Sequence, residues 1–179
     1  MTPLERSAIE AAVIQMFHVN FGLKPKERVL VMSDIPTIRD WKTKSEAEIS
    51  KILSHAMLGK CVAQIAREAF PACTVDFHPY FSLGRSGVEP SPSTAAAMKQ
   101  YNVITAINSF SISHTEARAE ASKGGARIAT MRGVIPEMFY PDGALSVDYS
   151  EVAREARYIA DFLTIARKAR LITETGTDL

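Results

Sequence analysis

The chain has 179 residues, 46% of them apolar and 23% charged, with a formal net charge of +1 at pH 7. That composition supports a folded core and argues against disorder. The near-zero charge gives no electrostatic reason to expect nucleic acid or an anionic membrane as partner. No apolar run approaches the ~18 residues of a membrane span, and the first residues lack the basic-then-apolar order of a signal peptide. Cys61 and Cys73 form no CxxC pair, which suits a reducing cytoplasm better than a disulfide framework.

Thr2-Pro3-Leu4-Glu5 has the spacing of a capping box with proline at the first helical position. It predicts a helix to about Asn20 with Ile9, Val13, Met16 and Phe17 on one face and Gly22 as its stop. Arg28-Val-Leu-Val-Met-Ser33 reads as a buried strand, and 34–44 as a polar connection. Ser45 and Glu48 again stand at capping-box spacing. Ile49, Ile52, Leu53, Ala56, Met57, Ile65, Ala66, Ala69 and Phe70 then recur at helical intervals up to Pro71. Cys73-Thr-Val-Asp-Phe-His78 alternates like a second strand, and 79–90 is a loop.

Ser91-Pro92 opens a short helix through Met98. Asn102-Val-Ile-Thr-Ala-Ile-Asn108 is short, β-branched and apolar, the signature of a buried strand. Ser113 and Glu116 predict a helix that Gly124-Gly125 ends, followed by a strand at Ala126-Arg-Ile-Ala-Thr-Met131. Gly133 to Tyr140 is dense in large apolar groups and reads either as a short core helix or as a contact surface. Asp148 or Ser150 caps a last helix with Val152, Ala156, Ile159, Leu163 and Ala166 as its inner face, and Arg170 to Thr173 suggests a final strand. Helices alternating with strands that are apolar on both sides predict an α/β fold. The expected architecture is a Rossmann-like, mostly parallel sheet with helices on both faces in three layers. No internal boundary is visible, so residues 1–173 read as one domain.

The candidate site is the loop after the strand at 102–108. Ser109, Ser111, Ser113, His114 and Thr115 are placed to meet a polar or anionic ligand at a helix N-terminus. The plainer reading is that these hydroxyls cap the helix and close a turn. Asp34, Arg39, Asp40 and Trp41 could also face a ligand at the carboxyl end of the sheet, although such residues more often form a solvated loop. His18, His55, His78 and His114 lie in four separate elements with no HExxH, so no metal site is expected within the chain. GxGxxG and Walker loops are lacking, and no GxSxG elbow marks a nucleophile.

Five stretches, taken in order, carry a family resemblance. They are Arg28-Val-Leu-Val-Met-Ser-Asp34, Ser111-Ile-Ser-His-Thr-Glu-Ala-Arg118, Gly125-Ala-Arg-Ile-Ala-Thr-Met131, Gly133-Val-Ile-Pro-Glu-Met138 and Gly176-Thr-Asp-Leu179. Together they resemble the N-terminal part of the thermophilic metalloprotease family of aminopeptidases, the leucyl aminopeptidase or aminopeptidase T type. The resemblance implies a two-part, homodimeric hydrolase that removes N-terminal amino acids from peptides by means of a metal-activated water. Its divalent metal (zinc, cobalt or manganese) would lie in a following C-terminal domain, with residues 174–179 as the junction to it. No metal ligand or catalytic residue carries over to a position here. The resemblance also extends to the iron-dependent 2,5-dihydroxypyridine dioxygenases, which use a similar architecture for ring cleavage. A stand-alone Rossmann-like binding module built on the His114 loop is the non-enzyme alternative.

Overall fold

The computed structural model describes residues 4–179, which fall into two compact units, the chain through Ser146 and Val147–Leu179. In the first unit, α1 (Arg6–Gln15) continues into a wider turn at Met16–Asn20, closed by Phe21 N–H donating to the Met16 carbonyl at 3.0 Å. Glu5 stands at the N-cap position with no side-chain cap, while Thr2 and Pro3 lie outside the described residues. The other elements are β1 (Arg28–Ile35), α2 (Ile38–Thr43), α3 (Glu46–Ala69), β2 (Thr74–Phe81), α4 (Pro92–Met98), β3 (Val103–Asn108), α5 (Glu116–Lys123) and β4 (Arg127–Arg132). A single 3₁₀ turn follows at Pro136–Phe139.

The four strands form one all-parallel sheet in the order β2-β1-β3-β4. Alternation of the strand side chains builds two cores. Val29, Val31, Val103 and Ile107 face α1 and α3 on one side, together with Phe17, Val62 and Phe139. Leu30, Met32, Ile104 and Ala106 face the opposite side with Met98 of α4 and Ala117 and Ala121 of α5. The sheet is thus covered on both faces, giving the three-layer α/β fold that the apolar strands imply. Phe139 is 1% exposed and Tyr140 packs half-buried against the first core, while Ile135, Glu137 and Met138 are exposed, so the segment is core only through its aromatic end.

Two sequence expectations change here. The polar connection at 34–44 contains α2, closed by its own capping box. Thr37 Oγ1 accepts from Asp40 N–H at 3.0 Å, and Asp40 Oδ2 accepts from Thr37 N–H at 2.8 Å. α3 starts at the expected Ser45/Glu48 box. The second change concerns α5. Its N-cap is Thr115, whose Oγ1 accepts from Arg118 N–H at 3.3 Å, and Ser113 is not the cap.

The second unit begins with Asp148, whose carboxylate accepts from Ser150 and Glu151 N–H to open α6 (Tyr149–Ile165). The expected amphipathic pattern is present, but the apolar stripe is not an inner face. No α6 residue is buried, and Val152, Ile159 and Leu163 are all exposed. Arg170 to Thr173 does not extend the sheet. It pairs with the last residues in a small hairpin, where Leu171 and Leu179 exchange both backbone hydrogen bonds and Arg170 grips Asp178 through two contacts of 2.7 and 2.6 Å. Gly176 turns this hairpin with φ of 99°, a conformation in which a side chain would be strained.

Candidate functional site

The chain leaves β1 for β2 on one side and returns across it to β3 on the other, so the strand order reverses between β1 and β3. In open α/β sheets, ligands settle outside the carboxyl ends of the strands at such a reversal. The residues at this point are Ser33 and Asp34 from β1, and Asn108 and Ser109 from the end of β3. All but Ser109 are buried.

The loop after β3 lies at this end, as expected, but most of its polar groups are tied to the chain itself. Ser109 N–H donates to Asp34 Oδ1 at 2.9 Å, and Ser109 Oγ lies 3.0 Å from His55 Nδ1 of α3. Ser111 exchanges bonds with the 82–90 loop, its N–H donating to Ser86 Oγ and its carbonyl accepting from Gly87 N–H. Ser113 Oγ accepts from Ser111 Oγ and meets Thr130 Oγ1 on β4. Thr115 is the helix cap, and its hydroxyl donates to the Ile112 carbonyl at 2.7 Å. His114 is exposed.

The anion position expected at the N-terminus of α5 is filled from within. The Glu89 carboxylate accepts from Glu116 N–H at 2.5 Å and Ala117 N–H at 3.1 Å. An anionic side chain at a helix N-terminus satisfies free donors and complements the dipole, and here it takes the place a ligand would need. Asp40 is likewise committed to its capping box. Arg39 and Trp41 are exposed on α2, and Trp41 is 58% accessible.

A row across the sheet joins β2, β1 and β3. Asp34 pairs in register with Tyr80, and Met32 pairs with Ala106, so the ladder carries Asn108 beside Asp34 on the other flank. Asn108 Nδ2 reaches over β1 to donate to Tyr80 Oη at 3.0 Å. Burial raises the Asp34 carboxyl above the usual carboxylate range, and it raises the Tyr80 phenol strongly, more than its bond from Asn108 lowers it. His55 lies on the opposite face of the sheet, 2% exposed. Burial first, and the Lys51 ammonium second, hold its imidazole below the usual histidine range, against an opposing hydrogen bond to the Val134 carbonyl. Through Ser109 the ring pins the 109 loop to α3.

Two clefts border this region. One of about 660 Å³ lies between α3 and the 134–137 turn, with Leu53, Met57, Leu58, Val134 and Ile135 as apolar walls and His55 among its lining residues. The other, about 370 Å³, runs along Tyr80, Ser82, Ser91 and Thr94 at the β2 edge. The four histidines remain apart, with His78 Nε2 3.1 Å from Thr94 Oγ1. Among the described residues no three His, Cys, Asp or Glu side chains converge on a metal position. No helix among them is long and apolar enough to cross a membrane.

Sequence reasoning missed Tyr80, Asn108 and Glu89, since each acts through a partner far along the chain. A usable signal was present in two strands. Val-Leu-Val-Met-Ser-Asp34 and Val-Ile-Thr-Ala-Ile-Asn108 both end an apolar run in a carboxylate or its amide.

No protein-family model and no curated protein matches the chain. Among solved structures it is similar to a 2,5-dihydroxypyridine dioxygenase from Pseudomonas putida KT2440. The TM-score is 0.58 at 13% identity, over 98% of this chain and 47% of that one. The chain therefore spans about half the length of that enzyme, and the likeness is one of fold. This corrects the expectation of a metal-dependent aminopeptidase. The structural likeness runs to a dioxygenase, the alternative named beside it, and nothing in the comparisons supports peptide hydrolysis.

Proposed function

We propose that this chain is the α/β part of an iron-dependent dioxygenase of the dihydroxypyridine type. The observation that carries the reading is the fold likeness, which takes in 98% of the chain and leaves about half of the matched enzyme without a counterpart here. The described residues offer no converging ligand set for iron. In this reading the metal and the ring-cleaving chemistry belong to sequence outside these 179 residues. The α/β part supplies a rigid wall, with its strand-end loops closed on one another through Ser86, Gly87, Glu89 and Ser111. Two separated cysteines fit a cytoplasmic setting.

The test is oxygen uptake. The full reading frame that contains this segment, reconstituted anaerobically with Fe(II), is mixed with 2,5-dihydroxypyridine in an oxygen-electrode cell. The expected result is consumption of substrate and oxygen in equal amounts, with loss of ring absorbance. The 179-residue segment by itself should consume neither. A full-length protein that binds iron and leaves the dihydroxypyridine untouched would overturn the reading, as would hydrolysis of leucyl-p-nitroanilide in its place.

A further inference from the structure

Ser109 is the first residue past β3, at the carboxyl end of a central strand and beside the reversal of strand order. Its backbone and side chain are both held there. The N–H donates to Asp34 Oδ1 at 2.9 Å, the carbonyl accepts from Arg132 Nε at 3.4 Å, and Oγ lies 3.0 Å from His55 Nδ1. Asp34 engages Ser109 more through that N–H than through the hydroxyl. The serine is half-buried, whereas the imidazole it meets is 2% exposed.

The surroundings of the ring decide where its proton sits. His55 also bonds the Val134 carbonyl. A carbonyl only accepts, so the ring nitrogen that it meets carries the hydrogen. With Nδ1 on Ser109, that nitrogen is Nε2. A neutral imidazole has one N–H, which leaves Nδ1 an acceptor for the Ser109 O–H. Burial and the Lys51 ammonium both favour the neutral ring. These are the parts of an activated nucleophile: a hydroxyl, a base within hydrogen-bond reach, and a third group that orients the base.

Lys51 stands one turn before His55 on α3, and its ammonium is near enough to act on the ring. Both residues line the cleft of about 660 Å³, whose walls include Leu53, Met57, Val134 and Ile135. A cation in an apolar cleft, beside a serine–histidine pair, suits an uncharged carbonyl compound. The walls take its hydrocarbon, and the ammonium favours the oxygen that gains charge during attack.

We infer that Ser109 and His55 form a nucleophile–base pair that acts on carboxylic esters with an apolar acyl group. Ser109 Oγ attacks the carbonyl carbon, and its proton passes to His55 Nδ1. The bond from that carbon to the alcohol oxygen breaks, and the alcohol leaves with the proton. Water then attacks the acyl-serine, giving a proton to Nδ1, which returns it to Ser109 as the acid departs. The inference is independent of the dioxygenase reading.

The test is covalent labelling of the 179-residue chain at pH 7.5 with an alkyl fluorophosphonate, which phosphonylates activated serines. Intact mass and peptide mapping locate the adduct, and p-nitrophenyl hexanoate reports turnover. The expected result is one adduct, on Ser109, in the folded chain and none in the urea-unfolded chain. His55→Gln should slow labelling by about 10²-fold or more. Ser109→Ala should abolish both the adduct and the turnover. A folded chain that gains no adduct, or gains it on another residue, would overturn the inference. So would a His55→Gln variant labelled as fast as the wild type, or ester turnover that persists in Ser109→Ala. If His55→Gln does not fold, the position of the adduct in the wild type and the turnover of Ser109→Ala still decide.

Discussion

Gly59 of α3 sits against β1 so closely that a methyl group there would land on Ser33 Oγ, with Phe77 Cε2 3.2 Å and Ser33 Cβ 3.3 Å away. Gly59→Ala sets two effects against each other. Alanine is favoured over glycine inside a helix by about 1 kcal/mol, while forcing extra volume into a packed site costs about 1–3 kcal/mol. Ser33 is fully buried, and its Oγ donates to the His55 carbonyl at 3.3 Å, so the hydroxyl has little room to swing away. The packing cost therefore wins, and Gly59→Ala should lower stability by about 0–2 kcal/mol, or up to ~8 °C in Tm at this size. Ser33→Ala removes the atom in the way. In that background the same Gly59→Ala should become stabilising by up to about 1 kcal/mol, a coupling of about 1–3 kcal/mol in a double-mutant cycle. Urea unfolding of the four proteins measures it. A stabilising Gly59→Ala in the presence of Ser33, with no coupling, would refute the close approach of α3 to β1.

Three further perturbations test the site. Thr115→Ala should cost about 0.5–2 kcal/mol, because Thr115 caps α5; Ser113→Ala should cost less, and reversal of that order in urea titrations would restore Ser113 as the cap. Glu89→Ala should cost a similar ~0.5–2 kcal/mol and speed amide exchange at Glu116 and Ala117, whose N–H groups it leaves open; unchanged exchange would show that the carboxylate does not hold them. Glu27 is held below the usual carboxylate range, first of all by its hydrogen bond from Arg127. Its contribution is full above the unfolded value near 4.5 and is lost as pH falls through the lower folded value. Glu27→Gln should therefore flatten the acid side of a stability–pH curve, and an unaltered slope would sink this.

The layers of this fold were legible because local chemistry and burial agree in them. The β-branched runs at 28–33 and 102–108 had to be buried strands, and Ser45 with Glu48 had to open a helix, since each signal is complete within a few residues. α2 was hidden because its six residues carry a capping box but no apolar stripe. Ser113 matched the spacing of a cap, but the donors at 116 and 117 are taken by Glu89, whose approach depends on how the 82–90 loop folds back. The apolar stripe of α6 was readable as a pattern, whereas what it faces is a tertiary fact that periodicity does not contain. The strand-end corner was the least legible part. Asp34, Tyr80 and Asn108 meet only because three strands align in parallel register, and a one-residue slip would send each to the other face.

The two carboxylates at this end of the sheet have opposite logic, and together they set what the end accepts. Glu89 brings its charge to the helix N-terminus of α5 and closes the position where a phosphate would sit. Asp34 carries its carboxyl inward, one oxygen accepting from Ser109 N–H. A phosphate at this helix N-terminus would meet Glu89 already seated. The sign of the pH dependence follows. Burial raises the folded Asp34 above its unfolded value near 3.8, so the folded state holds this proton more tightly. Its contribution is full below the unfolded value and is lost as pH rises through the folded one. Wild-type stability should fall over that window while Asp34→Asn stays level. Equal slopes for the two proteins over that window would refute a raised Asp34 carboxyl.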